Sequence, residues 1–205
     1  MVNMSPIKNQ KTCRGGSATM AALAVLEYWA IKNNTKNKIF SDQAVIDCMV
    51  NTTGCKFAHP YYSFSYASKF GVPDGTKYIW KGRQGTCMNK TYPAVYTMPK
   101  ICGASLGGND ANLASIISNY GPNVVLMATN GTNFDSYKTG VWNETSAARV
   151  FDTAVVVVGY GSDANHGDYW IIRNSKGTRW GQNGYGKVAR GRNVCGIATT
   201  VWGPC

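Results

Sequence analysis

The chain has 205 residues, 44% hydrophobic and 12% aromatic, and its 21 Lys and Arg outweigh 10 Asp and Glu to give a net charge of +11. That length suits one large domain or two closely packed lobes, and that composition excludes a disordered chain. The longest apolar run, Ala18 to Ile31, is broken by Glu27 and falls short of the ~20 residues that cross a bilayer.

Along the chain, Ala18–Lys32 is apolar on nearly every side and reads as a helix packed all round. Ser41 is placed to cap a short helix ending at Cys48. Tyr61–Phe70 carries aromatics at helical spacing, read as core, and stops at Gly71 with Pro73 beyond. Thr76–Gly108 has no sustained period and reads as loop. Asn109 caps a helix with Leu113, Ile116 and Ile117 on one face, ended by Gly121-Pro122. β-type runs follow at Asn123–Ala128, Ala154–Val158, Tyr169–Arg173, Tyr185–Ala189 and Ile197–Val201. Helices first and strands after predict an α+β arrangement of two dissimilar lobes. "GYG" at 159–161 and "WGQNGYG" read as turns between strands; no helix follows either one, so neither is a phosphate loop.

Seven cysteines without a C-x-x-C pair, and with only two histidines, favour disulfides over a zinc site. Disulfides in turn imply an oxidising compartment. N-x-S/T triplets at Asn3, Asn33, Asn51, Asn89, Asn130 and Asn143 are glycosylation candidates that fit the same compartment. No secretory signal stands at Met1, as in a mature chain or one that starts late. The expected location is secreted or endolysosomal. No metal or cofactor is expected. The positive charge is spread along the chain; it reads either as a solvated surface or as attraction to an anionic glycan, membrane or nucleic acid, with no pattern specific for nucleic acid.

The stretches "SPIKNQKTC", "SDQAVIDC", "GC" at 54–55, "FDTAVVVVGYG", "YWIIRNSKGTRWGQNGYGKVARG" and "VCGIA" together resemble the papain family of cysteine proteases, cathepsin L-like branch. They fall in family order and cover nearly the whole chain. The resemblance implies a single peptidase domain over residues 1–205. A helical left lobe (about 1–100 plus the C-terminal tail) would face a β-barrel-like right lobe (about 101–200) across an interlobe cleft. In that family a cysteine at a helix N-terminus is held as thiolate by a histidine. An asparagine orients the histidine, and a glutamine helps stabilise the oxyanion. Gln10 matches the glutamine and Asn174 the asparagine. The nucleophile position is Gly16 and the histidine position is Thr153. Glycine has no side chain to attack with, and threonine carries no proton near neutral pH.

Further departures fall along the expected cleft. Ser17 and Lys176 stand at two tryptophan positions, Phe57 and Ala58 at paired glycines, and Arg14 at a glycine of the first subsite. The resemblance also implies the disulfides Cys13–Cys55 and Cys48–Cys87. Cys195 matches half of a third whose partner is absent. Cys102 and Cys205 lie outside the usual pattern; a Cys102–Cys205 bridge is expected, leaving Cys195 free. Glu27 sits where the family keeps a buried glutamate. The histidines, His59 and His166, read as surface residues rather than relocated bases.

The reading from sequence is therefore a secreted pseudoprotease, not an enzyme, that acts as a binding or structural protein toward a protein or an anionic glycan. The alternative is a residual or altered hydrolase using Ser17 or a water positioned by Gln10 and Asn174.

Overall fold

The computed structural model describes residues 3–36, 38–49, 54–56, 58–98, 100–146 and 150–205. The chain forms two compact units. One comprises Met1–Pro6, Gln10–Cys102 and Gly203–Cys205; the other comprises Ile7–Asn9 and Gly103–Trp202.

The first unit is built around α1 (Gly16–Lys32), in which every residue from Gly16 to Glu27 is buried. Such a helix has no polar face because it is enclosed by its neighbours, chiefly α3 (Pro60–Lys69) and α2 (Asp42–Cys48). Its one acid is also buried: Glu27 accepts from the Ser5 hydroxyl on one oxygen and from Phe40 N, at 2.8 Å, on the other. Two donors on two oxygens let a carboxylate persist in the interior. The helix α2 starts at Ser41, whose hydroxyl accepts from Ala44 N. The helix α3 starts with Pro60 in its first turn and His59 Nδ1 accepting from Tyr61 N. A two-stranded pair joins β1 (Val72–Pro73) to β2 (Ala94–Tyr96).

The aromatic run of α3 divides. Phe64 and Tyr66 are in the core, whereas Tyr61, Tyr62 and Phe70 are exposed. The expectation of an all-core stripe is corrected to this extent. A helix offers only one face to its neighbours, and the aromatics here are spread too widely around it for all to fit there.

The second unit carries most of a seven-stranded sheet. Its strands are β3 (Ile101–Ser105), β4 (Asn123–Met127), β5 (Val141–Trp142), β6 (Thr153–Asp163), β7 (Gly167–Arg173), β8 (Tyr185–Ala189) and β9 (Thr200–Pro204), in the order β3-β9-β4-β6-β7-β8-β5. Neighbours β4, β6, β7 and β8 are antiparallel, and β5 joins β8 in parallel. All five residues of β4 are buried, so its apolar run is continuous rather than alternating. The helix α4 (Asp110–Tyr120) begins where Asn109 Oδ1 accepts from Ala111 N and Asn112 N, and ends at Gly121 with φ 82°. Below the sheet, Trp170, Trp180, Phe134 and Trp142 pack among aliphatic side chains. Trp170 Nε1 donates to Asp110 Oδ1 at 2.8 Å and ties β7 to the start of α4.

The strands depart from the sequence reading at several points, among them the two-residue β1 and β5, which no β-type run predicted. β2 and β3 lie inside the stretch read as loop; both are largely exposed and lack an apolar face to announce them. The "GYG" of 159–161 is no turn: β6 runs through it to Asp163 with a register shift between Val157 and Gly159, and the chain reverses only after Asp163. The last strand begins at Thr200 rather than Ile197, because 194–196 is a tight 3-10 turn with Asn193 and Cys195 at positive φ.

Three disulfides are formed: Cys13–Cys55, Cys48–Cys87 and Cys102–Cys205, and Cys195 is free and buried. Each bridge typically stabilises by ~2–4 kcal/mol.

Candidate functional site

The residues singled out from the sequence fall into two groups, one in each unit, and each group has its own construction.

In the first unit, the loop 10–15 turns tightly into α1. Cys13 N donates to Gln10 O at 3.1 Å, Gly16 N to Cys13 O at 2.9 Å, and Gly15 N to Cys55 O at 2.7 Å. The disulfide Cys13–Cys55 fixes the same junction covalently. Gly15 is required by this close approach: a Cβ there would stand 1.7 Å from the carbonyl oxygen of Lys56. Gly16, the first residue of the helix, is not so confined. A Cβ built on it meets Gln10 Cβ at 3.4 Å and Cys13 Sγ at 3.5 Å, which is ordinary contact. Residue 16 therefore has room for a side chain and carries none.

Gln10 is 7% exposed, and its Nε2 donates to Arg14 O at 3.3 Å. Ser17 is 2% exposed, enclosed at the start of the helix. Arg14 is exposed and Ala58 half-buried. Phe57 lies outside the described residues, as does Asn51; the other candidate glycosylation sites, Asn3, Asn33, Asn89, Asn130 and Asn143, are all exposed. His59 is held as the cap of α3, and burial pushes its pKa below the ordinary imidazole value.

In the second unit, Thr153 opens β6 opposite Met127 and is buried. Thr129 donates its hydroxyl proton to Asp152 Oδ1 at 2.9 Å, so its oxygen accepts from Thr153 in the 2.9 Å contact between the two hydroxyls. Asp152 also accepts from Thr129 N at 2.9 Å and Asn130 N at 2.7 Å. This three-residue relay was not found from the sequence. The only hint was an acid directly before Thr153, and nothing local placed Thr129 opposite it.

Asn174 follows Arg173, which pairs with Val156; Thr153 precedes Val156 by three positions. Both residues therefore lie at the same end of the β6–β7 ladder. Asn174 is 3% exposed; its Oδ1 accepts from Ser175 N at 2.8 Å. Its Nδ2 is buried with no partner among the described residues. Lys176 forms an ion pair with Asp135 at 2.8 Å. His166 contacts Asp163 at 2.9 Å in the exposed reversal after β6. Among the described residues, no group of three or more His, Cys, Asp or Glu is placed to hold a metal ion, and no helix is long and apolar enough to cross a membrane.

The sequence model of the papain family of cysteine proteases matches residues 1–205. The chain is 36% identical over 198 residues to cysteine proteinase 3 of Entamoeba histolytica, covering 95% of this chain and 63% of that protein. It is 32% identical over 202 residues to pro-cathepsin H of Mus musculus, covering 95% of this chain and 59% of that protein. Among solved structures, digestive procathepsin L2 from the larval midgut of Tenebrio molitor superposes with a TM-score of 0.88 at 31% identity, covering 98% of this chain and 64% of that one. Bromelain of Ananas comosus, solved in complex with the E64 inhibitor, gives 0.82 at 30% identity, covering 98% of this chain and 93% of that one. The chain belongs to the papain family of cysteine proteases and has its two-lobe α+β fold. It spans less than two thirds of the length of the proteinase and procathepsin relatives named here.

These comparisons overturn the expectation that the chain is not an enzyme. The family that matches it from end to end is one of cysteine proteases, and its relatives are named as a cysteine proteinase and cathepsins.

Proposed function

We propose that this chain is a papain-family protein of an oxidising, secreted or endolysosomal compartment whose task at the family's site is to hold a polypeptide chain. The observation that carries this reading is Asn174 Nδ2, a buried amide donor with no partner among the described residues. Such a donor costs about 1–3 kcal/mol while unsatisfied. A carbonyl oxygen, the acceptor that every peptide bond supplies, removes that cost. Gln10 supports the same reading as a second buried side-chain amide retained at a family position.

The names of the relatives favour a second reading, hydrolysis of the peptide held there. Residue 16 has no attacking atom, so this reading requires Ser17 or a positioned water as the nucleophile. Three disulfides support the assigned compartment.

One experiment addresses both readings. A library of extended peptides is incubated with the intact protein, and retention and cleavage are read by mass spectrometry. Retention that drops with Asn174→Leu supports polypeptide binding, and retention of nothing overturns it. Cleavage abolished by Ser17→Ala or Gln10→Ala supports the second reading; cleavage indifferent to both removes that version of it.

A further inference from the structure

The net charge of +11 is unevenly divided. The first unit holds twelve Lys and Arg against four Asp and Glu, a balance of +8, whereas the second holds nine against six. None of the four acids of the first unit is exposed. Glu27 and Asp42 are buried. Asp47 accepts from Gln43 Nε2, the Tyr78 hydroxyl and Gly85 N, and Asp74 accepts from Thr76 N and its hydroxyl. Eleven of the twelve basic residues, by contrast, are exposed. A surface of this kind carries cations without interspersed anions, so its field is not cancelled locally.

Within that unit, three loops are gathered and pinned. The disulfide Cys13–Cys55 and the Gly15 N to Cys55 O hydrogen bond fasten loop 10–15 to segment 54–56. Gln84 reaches back to Gly54, its Oε1 lying 2.2 Å from where a Cβ of that glycine would stand. Gln43, fully buried, clamps the turn at 81–83 with both ends of its amide: Lys81 N donates to Oε1 at 2.7 Å and Nε2 donates to Arg83 O at 2.9 Å. Gly82 lacks a side chain where the stem of Lys11 passes, since a Cβ there would lie 2.7 Å from Lys11 Cδ. The exposed cations on these loops are Lys11, Arg14, Lys56, Lys81 and Arg83.

We propose that these three loops form a docking face for a sulfated or carboxylated polysaccharide, with Lys11, Arg14, Lys56, Lys81 and Arg83 as its cations. The loops are held by a disulfide and a buried amide clamp, so little ordering entropy is lost on binding. A linear polyanion suits cations spread over three loops better than a compact anion, which needs donors converging on one point. Among linear polyanions the disulfides favour polysaccharide over nucleic acid, because disulfides form in oxidising compartments and are rare in the cytosol and nucleus. The inference goes beyond the polypeptide binding proposed from Asn174 and does not rest on it.

The test measures the affinity of the intact protein for heparin, chemically desulfated and carboxyl-reduced heparin, and a single-stranded oligonucleotide of similar charge. Heparin binding should weaken about a hundredfold between low and physiological salt, as expected when several ion pairs release counterions. The variant Lys11→Glu/Lys56→Glu/Arg83→Glu should bind at least about tenfold more weakly, while Lys36→Glu/Lys69→Glu/Lys90→Glu, equal in net charge, should change affinity by about twofold or less. Equal losses in the two variants would show that net charge alone acts and overturn the assignment. Unchanged affinity for the neutralised heparin overturns recognition of the anion. Tighter binding of the oligonucleotide at the same salt overturns the choice of polysaccharide. If the charge-reversal variant does not fold, the Lys→Gln and Arg→Gln versions at the same three positions replace it, with loss against the matching control still required.

Discussion

The hydroxyl of Thr153 donates to the hydroxyl oxygen of Thr129 across 2.9 Å, and Thr129 passes the chain of hydrogen bonds on to Asp152 at the same distance. Thr153 is thus part of a polar relay. Thr153→Val keeps the shape and deletes the donor. It should lower stability by about 1 kcal/mol, the worth of one intramolecular hydrogen bond, read as a shift of the urea midpoint at unchanged slope. A midpoint that does not move would show that the relay carries no stability.

The two glycines at the start of α1 should respond in opposite ways. Gly15→Ala drives a Cβ into the backbone of Lys56, so the junction must open and the protein should lose several kcal/mol or fail to fold. Gly16→Ala meets only ordinary contacts, and replacing glycine within a helix should stabilise by about 0.5 kcal/mol. Thermal unfolding of the two variants decides the matter. Equal destabilisation would refute the geometry assigned to the loop.

A pH dependence follows from His59. Burial holds its pKa below the ordinary imidazole value. As pH falls, the unfolded chain takes up the proton first. The stability contributed by the neutral ring is therefore present above about pH 6.5 and is lost as pH drops through the lower folded value. Protonation also removes the lone pair with which Nδ1 accepts from Tyr61 N. His59→Asn, which keeps a cap acceptor, should flatten the stability profile between neutral and mildly acidic pH at little cost at neutrality, whereas His59→Ala should cost about 1 kcal/mol there. Chemical denaturation at a series of pH values checks both, and a slope surviving in His59→Asn would assign it to another group.

Thiol chemistry offers a further check. Cys195 is the one free cysteine, is 8% exposed, and donates to the carbonyl of Glu144. Burial pushes its thiol pKa up, with the nearby acids Asp152 and Glu144 adding to the effect. Little thiolate forms at neutral pH, and reagents reach it poorly. Titration with a disulfide reagent should find one thiol that reacts slowly in the native protein and rapidly after unfolding. Rapid native labelling, or more than one thiol, would contradict this arrangement.

The sequence was most legible where a local rule acts alone. Asn109 and Ser41 cap the helices that follow them because a short polar side chain ahead of an apolar run has few other uses there. The enclosed helix α1 and the fully buried strand β4 were visible as unbroken apolar runs. Legibility failed where long-range pairing decides. The strands β2 and β3 exist through their neighbours in their sheets, and their own exposed residues carry no period. Gly159 and Gly161 looked like punctuation, yet β6 passes straight through them beside β7. Gln10, Gly16, Thr153 and Asn174 were singled out through the family resemblance, but the partnership of Thr153 with Thr129, 24 positions away, has no sequence signature. Reading residues 16 and 153 through the resemblance also led to an inference about activity that the family comparisons do not uphold.

The bridge between Cys102 and Cys205 closes a covalent ring over a separation of 103 residues. An endopeptidase that nicks the chain once anywhere inside that ring releases nothing. The two pieces would travel together on a non-reducing gel and part only when a reductant is added, so damage to the sheet-bearing half would pass unnoticed in any assay that leaves the sulfurs joined.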